Sequence, residues 1–168
     1  EAGGQLVHFV AAPPTQGLLL ATEAGMGFTT RLEGMVGRNR SGKQFLTLDE
    51  SDRLLRVCML PADQGRIGIL SRKGRLLVVS LEEVKLLLTG GRGVSLLELE
   101  GADDRLADVC WVGEEGLVVR GEGRGGREVQ AILKPSDLSS YLSRRARKGR
   151  LLDVRFKPRA LQTLEKRA

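Results

Sequence analysis

Apolar residues along this chain fall in short runs of four to eight, and several of these runs alternate with polar positions. Phe28, Thr30 and Leu32 share one face of "FTTRL", and Val129, Ala131 and Leu133 share one face of "REVQAIL". Turn residues bound the runs, so the pattern predicts strands and hairpins. One order recurs three times. An apolar run ("GLLLAT" at 17–22, "RIGILS" at 66–71, "GLVVRG" at 116–121) leads into a Gly-containing turn ("EAGMG", "RKGR", "EGRGG"). A second strand-like run comes after it ("FTTRL", "RLLVVSL", "REVQAIL"), then a short polar stretch. A basic, Gly-bearing turn comes next ("GRNRSGK", "TGGRG", "RRARKGR"), and an alternating run ("FLTL", "SLLEL", "LLDV") closes the unit. Helix-like pieces are brief, near 81–88 and 136–142.

A repeat underlies this order. "DRLLRVCML" starts at Asp52 and "DRLADVCWV" at Asp104, so Asp-Arg-Leu-x-x-Val-Cys recurs and Cys58 and Cys110 hold equivalent places. Units of about 50 residues with four short strands each read as an all-β blade array. The expected blocks are 6–57, 58–109 and 110–158, each a four-stranded blade. Residues 159–168 are expected as a tail outside the repeat, frayed or a short helix. Closed rings take about four to eight blades, so three blades read as an open array or as part of a larger one.

Composition narrows the function. Of 168 residues, 41% are hydrophobic and 29% charged, an ordinary globular balance with room for a core. No apolar run approaches the length of a membrane span. The formal net charge is +6, which suits a polyanionic partner or merely a basic surface. Two cysteines outside any Cys-x-x-Cys pair and the single His8 disfavour zinc and a Cys–His nucleophile. The chain starts at Glu1 without Met and reads as a piece of a longer protein.

Two glycine motifs test the enzyme reading. Gly37-x-x-x-x-Gly42-Lys43 is most of a phosphate-binding loop, but Gln44 stands where Ser or Thr would hold magnesium, and a strand-like run comes next instead of a helix. "GEGRGG" at 121–126 fits a dinucleotide fingerprint, yet the repeat makes it a hairpin turn, and the next run alternates and meets Pro135. Cys58, Cys110 and Trp111 read as core, and Tyr141 as a packed ring with a wet hydroxyl. No catalytic constellation appears.

The recurring basic turn carries the binding hypothesis. The first unit supplies Arg38, Arg40 and Lys43. The second supplies Arg92, with Arg72, Lys73 and Arg75 at the preceding hairpin. The third supplies Arg144, Arg145, Arg147, Lys148 and Arg150. Repeat-equivalent turns of a blade array share one rim, and spaced cations on a rim form a stripe that can follow a phosphate backbone. Without a recognition helix or many aromatics, the stripe predicts double-stranded DNA held with little sequence preference.

"LLLATEAGMGFTTRLEGMVGRNRSGKQFLTL" at 18–48 closely resembles the C-terminal domain of the A subunit of bacterial DNA topoisomerase IV. "ILSRKGRLLVVSLEEV" and "RRARKGRLLDV" are similar to that domain's later repeats. The resemblance implies a β-pinwheel that binds and bends DNA along a basic rim, presents it to a catalytic core, and tunes the enzyme's topology preference toward decatenation and supercoil relaxation. It implies no catalytic group here: the family's active-site tyrosine lies in the N-terminal part of that polypeptide, and Tyr141 does not match its context. It implies no cofactor for this piece, although the full enzyme uses ATP and magnesium. The implied partners are the rest of the A subunit, the B subunit, and a chromosome-condensing complex, in the cytoplasm at the nucleoid, with no membrane. Gyrase carries a Gln-Arg-Arg-Gly-Gly-Lys-Gly box. Of it, the stretch from Arg38 to Gln44 keeps Arg40, Gly42 and Lys43, which points to non-wrapping contact. A degenerate gyrase wrapping domain and a protein-interaction module are the alternatives.

Overall fold

The computed structural model describes residues 5–167. Eleven strands are arranged in three antiparallel sheets. They are β1 (Gly17–Ala21), β2 (Met26–Arg31), β3 (Cys58–Leu60), β4 (Arg66–Ser71), β5 (Arg75–Ser80), β6 (Val94–Ser95), β7 (Leu106–Trp111), β8 (Gly116–Glu122), β9 (Glu128–Leu133), β10 (Arg150–Leu151) and β11 (Lys157–Leu164). The sheet orders are β3-β1-β2-β6, β10-β5-β4-β7 and β11-β8-β9. The fold is the all-β blade array that the pattern predicts. Its centre is three hairpins, β1–β2, β4–β5 and β8–β9, closed at the Gly-containing turns.

Burial explains the strand sequences. The second sheet lies between the other two, so both its faces are covered. Ile67, Ile69, Leu77 and Val79 pack towards the first sheet. Leu76 and Val78 pack towards the third. A strand covered on both sides reads as one continuous apolar run, as "RLLVVS" does. In β9 the positions alternate between exposed and half-buried, because only one face is packed. A third cluster, Leu20, Phe28 and Phe45, covers the far face of the first sheet, with the two phenyl rings 5.9 Å apart.

The sheets depart from contiguous blocks. The first sheet takes β3 from beyond residue 57 and its outer strand β6 from the middle of the second block; the second takes β10 from the third block. Outer strands are thus exchanged between neighbouring units. They are also short. "SLLEL" and "LLDV", expected as strands, contribute two residues or fewer to β6 and β10, and "FLTL" makes a single parallel bridge, Leu46 with Gly91. Their leucines turn into the core instead: Leu96, Leu97 and Leu152 are buried.

The expected tail is corrected by the fold. Residues 157–164 form β11, the inner strand of the third sheet, paired with β8 from Glu122 to Gly116 around a bulge at Pro158/Ala160. "RALQTLEKRA" has helical propensity, but Leu161 is 2% exposed and its N–H donates to buried Asp108, so tertiary pairing overrides local preference. The third sheet has three strands among the described residues, not the expected four. The helix-like stretches are single turns at Leu81–Glu83, Pro135–Leu138 and Ser139–Tyr141.

Candidate nucleic-acid interface

The repeated Asp-Arg pair, whose role the sequence pattern does not reveal, builds the frame of the first two units. Asp52 accepts the Ala24 N–H at 2.9 Å and the Arg53 N–H at 2.8 Å. Asp104 does the same for Lys73 at 3.3 Å and Arg105 at 2.9 Å, and also accepts the Glu100 N–H at 3.1 Å. A buried carboxylate therefore ties the hairpin tip to the loop before the inner strand. The next arginine donates to the carbonyls of that loop, Arg53 to Glu50 and Arg105 to Ala102. Their signal in the sequence is the repeat itself.

The three basic turns are joined end to end. In the first, Arg38 and Arg40 are exposed and have no ion pair among the described residues. Lys43 Nζ donates to the Gly34 carbonyl at 2.8 Å and lies 5.3 Å from the Phe45 ring centre. The chain leaving this turn bonds to the chain entering the second: Gly91 N–H to Phe45 O at 2.9 Å and Thr47 N–H to Gly91 O at 3.0 Å. The chain leaving the second turn bonds to the third: Ala146 N–H to Leu96 O at 3.0 Å and Glu98 N–H to Arg147 O at 3.1 Å. Arg145 is engaged in this junction, donating to the Ser95 carbonyl. Because the exchanged strands β6 and β10 are the outermost of their sheets, this succession runs along the outer perimeter.

Acidic partners divide the candidates. Arg92 pairs with Asp49 at 2.9 Å, which holds that carboxyl below its ordinary value. Lys73 pairs with Asp103 at 2.8 Å and Arg75 with Glu100 at 2.7 Å, lowering both carboxyls. Arg75 also reaches the Gly149 carbonyl at 3.3 Å, and Lys148 adds to the field on Glu100, so Lys73 and Arg75 adjoin the third turn. Arg72 does not join it; its guanidinium is 2.6 Å from Glu23, on the hairpin-tip side. Arg144, Arg147, Lys148 and Arg150 are without ion pairs among the described residues. Lys157 and Arg159 line a small hollow with Arg72. The sequence pattern passes over them, because their strand lacks the repeat's signature.

Neither glycine motif has the architecture of a nucleotide site. Lys43 is followed by Gln44 and extended chain, not by a helix, so residues 37–43 do not fit ATP with magnesium. Residues 121–126 run from the end of β8 into the third hairpin turn. Burial pushes the Cys58 thiol up to about 12 and raises Cys110 as well, the reverse of a reactive thiolate.

A blade array whose outer strands are exchanged, with cationic glycine turns in succession around its edge, defines a pinwheel-type repeat domain. The family model described as DNA gyrase C-terminal domain, beta-propeller, matches residues 18–58 and 69–109, one repeat each. It is 28% identical over 166 residues to the A subunit of DNA topoisomerase 4 from Haemophilus influenzae, covering 96% of this chain and 21% of that protein. To the Escherichia coli K12 protein of the same name it is 24% identical over 155 residues, covering 89% and 20%. The chain thus spans about a fifth of the length of the curated relatives it matches. The solved E. coli ParC C-terminal domain superposes with a TM-score of 0.80 at 23% identity, over 96% of this chain and 66% of that one. A DNA gyrase A C-terminal domain superposes at 0.66 and 19%, over 86% and 47%.

Proposed function

We propose that this chain is a non-catalytic, sequence-independent binding domain for duplex DNA within a type IIA topoisomerase. The observation that carries this reading is the hydrogen-bonded succession of three cationic, glycine-bearing turns along one perimeter. Arg38, Arg40, Arg144, Arg147, Lys148 and Arg150 contact phosphates. Arg92, Lys73 and Arg75 join them as phosphates compete for their carboxylate partners. Guanidinium groups meet phosphate oxygens two at a time, and lysines act as point charges. Lys43 holds the first turn through Gly34 and adds its field.

In the longer protein this domain presents a DNA segment to the remainder of its own polypeptide and to the B subunit, and biases the enzyme by DNA curvature. The match to the gyrase C-terminal domain model over two repeats and the names of the relatives support this assignment. ATP and magnesium belong to other parts of that assembly. The test is duplex binding measured by anisotropy across a salt series. Affinity should fall with a log–log slope of about −0.9 per phosphate contact and show no preference among unrelated sequences. A salt-independent affinity would defeat the reading. Competition between bent minicircles and linear duplex of one sequence tests curvature; equal affinity would remove bending.

A further inference from the structure

Two inner strands carry a bulge at the same place in the repeat. Along β7, Asp108 stands opposite Leu70 and Leu106 opposite Ser71, so Ala107 is the extra residue. Along β11, Ala160 stands opposite Arg120 and Pro158 opposite Gly121, so Arg159 is the extra residue. Ala107 and Arg159 are 52 residues apart, which is the spacing of the repeat. A bulge takes its extra residue out of the pairing ladder and re-aims the side chain. Here the two extra residues come to one place. Both line a hollow of about 150 Å³, together with Arg72, Lys157 and Pro158.

Three cations line this hollow. Arg72 gives one terminal nitrogen to Glu23 at 2.6 Å, and Arg159 gives one to Glu122 at 2.9 Å. The remaining donors of both guanidinium groups have no partner among the described residues. A guanidinium carries five N–H donors in a fixed fork, so each carboxylate orients its arginine and leaves donors for a further anion. Lys157 has no ion pair among the described residues. The small side chain of Ala107 leaves the space. The first repeat has Leu55 at that place, and Leu55 is buried. The volume sets the size of the guest: one tetrahedral oxyanion fits, whereas pockets for larger ligands run to about 300 Å³ or more.

We propose that this hollow binds a single phosphate group from a small molecule, separately from the cationic perimeter. The forked donors of Arg72 and Arg159 take phosphate oxygens, and Lys157 adds a point charge. With two carboxylates against three cations, the site keeps one positive charge for the anion. It stands apart from the DNA path, because Arg72 is on the hairpin-tip side and does not join the third basic turn. A phosphate of the DNA backbone has the same chemistry, so the two sources are separated by experiment.

The test is calorimetric titration of the chain with inorganic phosphate, with chloride at equal ionic strength as the control. The wild type should bind one phosphate per chain and show no saturable heat with chloride. Arg159→Ala and Lys157→Ala should each weaken phosphate binding about tenfold, the loss of one charge-assisted contact. Ala107→Leu should abolish it by filling the hollow, with net charge and circular dichroism spectrum unchanged, since leucine is what the first repeat carries there. None of these variants should alter the salt slope of duplex binding. Absence of saturable phosphate binding overturns the proposal, as does an equal response to chloride. Phosphate binding by a folded Ala107→Leu at wild-type strength overturns it too. A flatter salt slope for duplex in Arg159→Ala and Lys157→Ala would give the site to DNA and so exclude a separate small-molecule site.

Discussion

Arg56 and Asp108 occupy the same place in two copies of the repeat, and they bond to each other, guanidinium to carboxylate at 3.0 Å across 52 residues. The relation is general along the inner strands. Thr163 lies one unit beyond Cys110 and Trp111; its hydroxyl is 3.1 Å from Cys110 Sγ and donates to the Trp111 carbonyl at 2.8 Å. Successive inner strands lie side by side, so each residue meets its counterpart one unit on. Asp108 is the hub. It accepts the Val109 N–H at 2.9 Å and the Leu161 N–H at 2.8 Å besides Arg56, and Arg56 donates in turn to the Leu161 carbonyl at 3.0 Å.

The two partners of this pair should weigh unequally. Asp108 has a side chain 6% exposed and Arg56 one 62% exposed. Asp108→Asn turns an amide NH₂ towards the Leu161 N–H and the guanidinium, stranding a buried donor, and should cost about 1–3 kcal/mol. Arg56→Ala should cost under about 1 kcal/mol. Urea unfolding of both variants checks the order, and equal losses would contradict it. Burial raises the Asp108 pKa above its ordinary 3.8, so its own contribution is full below that value and is lost as pH rises through the higher folded value. As pH rises above 3.8 and through the higher folded value, the wild type should therefore lose some stability that Asp108→Asn does not.

The Asp104 carboxylate should matter to one hairpin. Asp104→Ala removes the acceptor for Lys73, Glu100 and Arg105 N–H groups. A loss of about 1–3 kcal/mol is expected, with hydrogen exchange accelerated at Lys73 and Glu100 before the rest of the second sheet. Uniform acceleration would mean the tie is not local.

Charge removals should sort by position. Arg38→Ala with Arg40→Ala, or Arg147→Ala with Lys148→Ala, should weaken duplex binding and flatten the salt slope by about 0.9 for each phosphate no longer neutralised. Arg72→Ala should leave the slope unchanged, since that guanidinium lies against Glu23 on the hairpin-tip side and does not join the third turn. A larger effect from Arg72 than from Arg147 and Lys148 would place the DNA on the hairpin tips.

Glu100 restrains three cations. Glu100→Gln should release Arg75, with lesser effects at Lys148 and Lys73, and tighten DNA binding. Arg75 holds the Glu100 pKa below its ordinary 4.5, so the pair's stabilising effect is complete above that value and disappears as pH falls through the lower folded value. Anisotropy with the variant at neutral pH is the check; weaker binding would reverse the argument.

Both thiols should resist alkylation. Burial raises Cys58 to about 12, so iodoacetamide at mildly alkaline pH should label neither cysteine until denaturant is added. Rapid labelling of the native chain, read by mass, would contradict the packing of the inner strands.

Much of this architecture is legible in the sequence. The three hairpins follow from apolar runs broken by glycine turns, and the burial of Cys58 and Cys110 follows from their places in the repeated Asp-Arg-Leu-x-x-Val-Cys. The inner strand at the C-terminal end is not legible there. "RALQTLEKRA" lacks the Asp-Arg-Leu signature, and its strand state depends on β8 and Asp108, both remote in sequence. The roles of Asp52 and Asp104 are visible only as recurrence, because a carboxylate that pins a hairpin tip looks like any surface acid until the tip is beside it.

The sequence by itself determined the hairpins, the apolar faces that bury them and the recurring cationic turns, since each depends on neighbours within a few residues. Tertiary structure alone decided that outer strands pass from one unit to the sheet of another, because an edge of two residues has too little side-chain pattern to choose its partner. It also decided which cations are neutralised: Arg72 meets an acid 49 residues away and Arg92 one 43 away. Charge acts through space, so the order of residues gives the number of cations and the fold gives their partners.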